Sequence, residues 1–278
     1  MAIWVIARLT LHEAARRKIL WAAFILGLAF LILYAVGVYF IQRELAQNPP
    51  GPAAATREIY SFLTMAGLYV VNFLVVMMTV LTSVDTLAGE IASGTMQAIA
   101  TKPLRRFEIV LGKWLGFAAM LALYVALMGG GVAAVTLALT GYAVPGLLAG
   151  LSLMALEGLT LLSVCVLGGT LLSTLANGVL AFGLYGLAFV GGWIEQLGSL
   201  LRSEASVNIG ILSSLLMPSE ALWKRAAFEM QSPITRDLGA MTPFSAASVP
   251  NERMILYAIL YIAVTLALAL RQFSRRDL

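Results

Sequence analysis

The stretch "GEIASGTMQAIATKPLRRFEIVLGKWLG", Gly89 to Gly116, decides how the rest of the chain is read. A long apolar run precedes it and a longer one follows it. A connector between two membrane helices needs only a few polar residues, yet this one carries Gly94, Pro103, two arginines and two lysines. Met96, Ile99 and Ala100 fall at i, i+3 and i+4 on one face of a short helix, Thr95 to Thr101, with Gln97 and Thr101 on another. Lys102 precedes a proline, which disfavours helix there. Pro103 can open the next helix, through Phe107, Val110 and Leu111, with Lys113 placed to snorkel to lipid headgroups. The reading is a small helix lying across a hairpin between two spans, bracketed by Gly94 and Pro103. Such a knob suits a socket on another protein.

Composition supports the membrane setting. The 278 residues are 60% hydrophobic and 12% charged, about half the charged fraction of a soluble chain, and mean hydropathy is +0.91. A net charge of +4 marks cytoplasmic edges rather than nucleic-acid binding in such a chain. One cysteine, Cys165, excludes an intrachain disulfide, and one histidine, His12, excludes any site needing two. The N-terminal apolar run is too long for a cleavable signal.

A helix needs about 20 apolar residues to cross a bilayer core. Charge-poor windows, divided at the Gly/Pro turn "TGYAVPG" (Thr140 to Gly146) and at "STLANG" (Ser173 to Gly178), give six spans. They run over about 19–41, 62–84, 114–139, 146–172, 177–194 and 254–270. With the N-terminus inside, the inner segments hold eleven basic and five acidic residues, a net of +6. The outer segments hold seven basic and eight acidic residues, a net of −1. The excess of Lys and Arg puts both termini and the segment 85–113 in the cytoplasm. The N-terminal segment "IWVIARLTLHEAARRKILW" reads as an interfacial helix or as a cytoplasmic extension of the first span. The outer loop, 195–253, holds a helix from Pro218 and Ser219 to Gln231. Leu222, Ala226 and Met230 line one face of it, and Glu220 and Lys224 stand at i, i+4. That helix is expected to cap the bundle or to dock an extracytoplasmic protein. The fold class is all-α: one polytopic membrane domain over 1–278 with six transmembrane helices, an N-terminal interfacial helix, a cytoplasmic coupling helix and a helical extracytoplasmic cap.

On the opening stretch the sequence resembles the ABC-2 type permeases, membrane subunits of ATP-binding-cassette exporters. The resemblance rests on Glu90, Gly94, Thr95, Met96, Pro103, Leu104, Arg106, Gly112 and Lys113. It extends more weakly to the six-span plan, the basic N-terminal helix and "LLMPSEALWK" at Leu215–Lys224. It implies that the segment after the second span is a coupling helix that docks on a cytoplasmic ATPase, through Glu90, Gly94, Thr95, Met96, Gln97, Ile99, Pro103 and Arg106. Gln97 stands where an acid is common, and Arg105 where a small hydroxyl residue is common. Both alter the charge offered to the partner. The resemblance further implies a second permease copy or homologue, with a path between the two lined by spans one, two and five, in the cytoplasmic (inner) membrane.

The remaining chemistry is thin. A phosphate-binding loop needs G-x-x-x-x-G-K-[ST], but Gly112-Lys113 is followed by Trp114, so ATP and Mg are expected on the partner ATPase. No catalytic, cofactor or metal residue is expected in this chain. Methionine thioethers can bind Cu(I), but no Met-x-x-Met spacing or Cys pairing supports it here. An intramembrane protease lacks its His or its paired Asp. Glu157 is the one acid inside an expected span, and either lines a substrate path or makes a structural pair. Asn72 and Asn177 either line a path or bridge helices. The glycines at 129–131, 168–169, 183, 186 and 191–192 suit close helix contacts. The leading reading is an exporter permease subunit. The alternatives are an ATPase-coupled membrane scaffold acting mechanically on an extracytoplasmic partner, or a proton-coupled secondary transporter.

Overall fold

The computed structural model describes residues 2–92, 94, 105–237 and 249–275, in eleven helices and, among the described residues, no strand. They are α1 (Ala2–Arg16), α2 (Lys18–Gln47), α3 (Ala53–Ser83), α4 (Asp85–Ala92), α5 (Arg106–Thr140) and α6 (Leu147–Leu171). After them come α7 (Thr174–Leu200), α8 (Glu204–Leu216), α9 (Ser219–Met230), α10 (Pro233–Asp237) and α11 (Glu252–Arg275). Six are long and apolar enough to cross a membrane: α2, α3 with most of α4, α5, α6, α7 and α11. The all-α, six-span expectation is therefore met. The end bearing α1, α4 and the start of α5 is called basal here, and the other end distal.

Helix ends follow local chemistry. α5 opens at Arg106, where the Arg105 N–H donates to Glu108 Oε2 at 2.9 Å, so Glu108 satisfies an otherwise open end. α5 closes on Gly141 in the left-handed region (φ 71°), which glycine adopts without a Cβ clash. Gly146, also left-handed, turns the chain into α6 beside the Glu229 carbonyl. α3 starts at Ala53, well before 62, and so carries Arg57 and Glu58 on its distal turns. α7 starts at Thr174 rather than 177, because Ser173 is the extended residue and Asn177 and Gly178 are already helical.

Lipid tails are as apolar as leucine, so neighbours in a membrane are selected by close packing and polar contacts. α6 lies at the centre, against α3, α5, α9 and α11. Gly158 admits Leu121, Gly129 admits Leu151 and Gly150 admits Met230. Gly183 and Gly186, by contrast, face open space. Tyr34 and Thr136 hydroxyls bond at 2.8 Å, Tyr124 donates to the Ala23 carbonyl at 3.1 Å, and Trp114 donates to Ser163 Oγ at 3.0 Å. Asn177 bridges three segments, donating to the carbonyls of Val84 (3.1 Å) and Cys165 (2.8 Å).

α1 is a separate helix, broken from α2 at extended Arg17, and not a continuation of the first span. It lies on the foot of α5, where Gly112 meets Ile6 and Gly116 meets Ala7 and Thr10. Ala7, Thr10 and Ala14 are buried there, while Trp4, Val5 and Leu9 are exposed on the other side.

The distal segment differs most from a surface cap. α8 runs back along α7, and α9 turns from it through 103°. Gly191 faces Ser213, Gly198 faces Ser206 and Gly210 faces Glu195, so glycines set the α7–α8 approach. α8, with 13 residues, is about 20 Å long, too short to cross a core of about 30 Å. α9 then packs along α6 with Ala221, Leu222, Trp223, Ala226, Ala227 and Met230 buried. The break falls at buried Met217, with exposed Leu215 and Leu216 just before it. There Tyr257 and Tyr261 of α11 donate to the carbonyls of Leu215 and Leu216. Those carbonyls would otherwise be open at the end of α8, which is costly where water is absent.

Candidate functional site: a basal framework and a distal cavity

At the base, the residues flanking the sequence-singled knob are firmly held. Glu90 on α4 is paired with Lys113 on α5; their side chains are 11% and 6% exposed. Lys113 therefore faces a carboxylate inside the protein rather than lipid headgroups. Arg17 bonds Glu13 at 2.9 Å and reaches Asp85 at 3.5 Å, while Thr174 donates to the other Asp85 oxygen at 2.9 Å. Asp85 thus ties the α1–α2 break, α4 and the start of α7 together. Arg106 donates to the carbonyls of Phe273 (3.4 Å) and Ser274 (3.1 Å). A cation there also suits the negative end of α11. Gly94 has φ +73°, which ends α4 with a left-handed residue. Thr95, Met96, Gln97, Ile99 and Pro103 lie outside the described residues.

In the distal half the two path candidates meet. Asn72 on α3 donates to Glu157 Oε1 on α6 at 3.3 Å, both buried. Asn72 Oδ1 and Glu157 Oε2 have no hydrogen-bond partner among the described residues. Asn72 lines a cavity of about 300 Å³ with Tyr69, Val70 and Phe73 of α3, Tyr185 and Phe189 of α7, and Glu220 and Trp223 of α9. The Tyr69 and Trp223 rings meet edge to face at 5.4 Å, and Tyr185 stacks with Phe189 at 6.5 Å. Glu220 is buried against Gly192, whose missing side chain leaves it room. Lys224 does not pair with Glu220 across one helical turn as expected. It donates to the Gly192 carbonyl at 3.1 Å and to Glu195 Oε2 at 2.9 Å.

Sequence reasoning missed Tyr69, Tyr185, Glu195 and the inward placement of Glu220 and Trp223. A signal was present in Ala221, Ala226 and Ala227, small residues that let α9 approach α6 closely. Among the described residues no group of three or more His, Cys, Asp or Glu could hold a metal ion.

A multi-pass helical bundle with a broken helix pair beside a side-opening cavity defines a polytopic helical membrane protein. The chain belongs to the ABC-2 family transporter proteins, whose family pattern matches residues 4–278. It is similar to the probable ABC transporter permease protein NosY of Stutzerimonas stutzeri, at 30% identity over 289 aligned residues covering 99% of this chain and 98% of that one. A protein of the same name from Pseudomonas aeruginosa is 31% identical over 135 residues, covering 49% of this chain and 45% of its own length. The chain is thus a transmembrane permease of the ABC transporter class, a subunit type that is not itself catalytic.

Proposed function

We propose that the chain is the permease subunit of an ATP-driven exporter, moved by a separate cytoplasmic ATPase that binds ATP and Mg and docks on residues 85–113. Two permeases, identical or homologous, would face each other across a path lined by α2, α3 and α7 in the inner membrane, with both termini cytoplasmic. The excess of Lys and Arg on the inner segments supports that orientation. One observation carries the coupling role: both helices that flank residues 95–104 are anchored to several others. α4 is held to α5 through Glu90–Lys113, and Asp85 joins it to Arg17 and Thr174. α5 is held to α11 through Arg106. A push on the intervening residues would be passed to α1, α2, α7 and α11. The mouth of the distal cavity is bordered by exposed Val70 and Phe73 of α3, a face suited to the second permease.

Apolar burial should dominate docking. Met96 and Ile99 would each contribute about 1.5–3 kcal/mol if completely buried, against about 1 kcal/mol or less for an exposed ion pair. The test places a cysteine at Met96 in a Cys165→Ser background, with the ATPase co-expressed. Disulfide or bifunctional crosslinking should trap the ATPase, and Met96→Asp or Ile99→Asp should release it on purification. Trapping only from cysteines near Leu201, at the distal end, would overturn both the orientation and the docking assignment.

A further inference from the structure

We propose that the distal cavity is a binding site for an organic cation, a tertiary or quaternary ammonium group carried on a small apolar body. The inference rests on the permease reading and names the substrate class of its path. Three observations converge on it. The walls are aromatic: Tyr69, Phe73, Tyr185, Phe189 and Trp223 surround the space. Aromatic faces attract a cation that has shed its water, and quaternary ammonium groups are their best-suited ligands. The polar lining is acceptor-rich. Glu220 and Asn72 border the cavity, and Glu157 stands behind Asn72, accepting from its amide at 3.3 Å. Finally, the positive groups nearby are already committed. Lys224 is taken up by Glu195 and the Gly192 carbonyl.

The α9 N-terminus opposes this reading, because a helix start carries about half a positive charge. Lys224 and Glu195 offset each other, which leaves that half charge opposite Glu220, the carboxyl group on the cavity wall. An anionic guest would therefore lie against the Glu220 carboxyl group, and a neutral apolar guest would offer it no compensating charge. A volume of about 300 Å³ admits a small aryl-alkylammonium. Access is from the side of the bundle between α3 and α7, where Val70 and Phe73 are exposed and Phe189 is half-buried. The apolar body can therefore enter from lipid or from the interface between two permeases, while the charged head meets Glu220 and Asn72.

The probe is radiolabelled benzyltrimethylammonium, bound to the full chain purified into lipid nanodiscs. Saturable binding is expected, displaced by the unlabelled cation but not by its neutral carbon isostere, neopentylbenzene, nor by toluenesulfonate. Glu220→Gln and Trp223→Leu should each weaken binding by at least about tenfold, and Glu44→Gln, on exposed α2, should leave it unchanged. Displacement by the neutral isostere as strong as by the cation, or absence of saturable binding, would overturn the proposal without any variant having to fold. Unchanged affinity in Glu220→Gln would overturn it too. ATPase crosslinking from position 96 is read separately, so a chain that couples to its ATPase but ignores the cation sinks only this inference.

Discussion

The basal and distal regions both bury carboxyl groups, but they treat them differently. At the base the buried acid has its cation, Glu90 with Lys113, while half-exposed Asp85 reaches Arg17 and accepts from Thr174 on its second oxygen. Behind the distal cavity Glu157 has an amide on one oxygen and, among the described residues, no hydrogen-bond partner on the other. Glu220 borders empty space, while the nearby lysine is directed to Glu195. Burying charge in a low-dielectric medium is costly unless opposite charge and hydrogen bonds compensate. The base supplies that compensation internally and so behaves as a fixed mount. The cavity leaves Glu220 facing open space and so behaves as a place to be filled. Rigid mount and open site are joined by the same helices, since α3 leads to both Asn72 and α4, and α7 leads from Thr174 to Phe189.

The largest effect should come from breaking the mount. Lys113→Met leaves Glu90 buried without its cation, and removal of one partner of a buried pair costs about 3–5 kcal/mol. A strongly lowered unfolding midpoint in nanodiscs is expected, with most of the loss recovered in Lys113→Met/Glu90→Leu, where both partners become apolar. If the single variant unfolds like the parent, the base is not the paired framework described above.

The cavity should respond in the opposite manner. Glu157→Gln keeps an acceptor for Asn72, so its stability cost should be about 1 kcal/mol or less. Its effect should fall on function, as altered substrate-stimulated ATPase activity in an assembled complex. Equal activity in variant and parent would make Glu157 a structural residue and remove the contrast between the two regions.

The smallest effect sharpens the boundary of the mount. Glu13 is half exposed and pairs with Arg17 at i, i+4. Glu13→Ala should cost less than about 0.5 kcal/mol, measured as the shift in unfolding midpoint beside Lys113→Met. A loss comparable to that of Lys113→Met would extend the rigid framework out to α1.

The six spans, the break after α4 and the turn between α5 and α6 were all legible in the chain. Apolar runs of spanning length cannot be anything but buried in lipid or protein, and Gly94, Gly141 and Gly146 sit where the backbone goes left-handed. Asn72 and Glu157 were each recognisable as costly residues inside a span, because desolvation acts on a residue whatever its neighbours. That they bond to each other was not recognisable, since 85 positions separate them and only the packing of α3 on α6 closes the distance. The distal segment was the least legible. α9 has the mixed polarity of an interfacial cap, and Glu220 and Lys224 have the spacing of a surface pair. Sequence spacing reports which residues share a helix face but not what that face meets. α8 turns back along α7, α9 follows α6, and the glycines of α7 let Glu220 and Lys224 in, so one lysine reaches Glu195 and one acid borders the cavity. The sequence by itself determined the six helices long and apolar enough to span and where each polar cost would fall. Only the tertiary structure decided how each cost is met, because the partners that compensate a buried charge come from helices far apart in the chain.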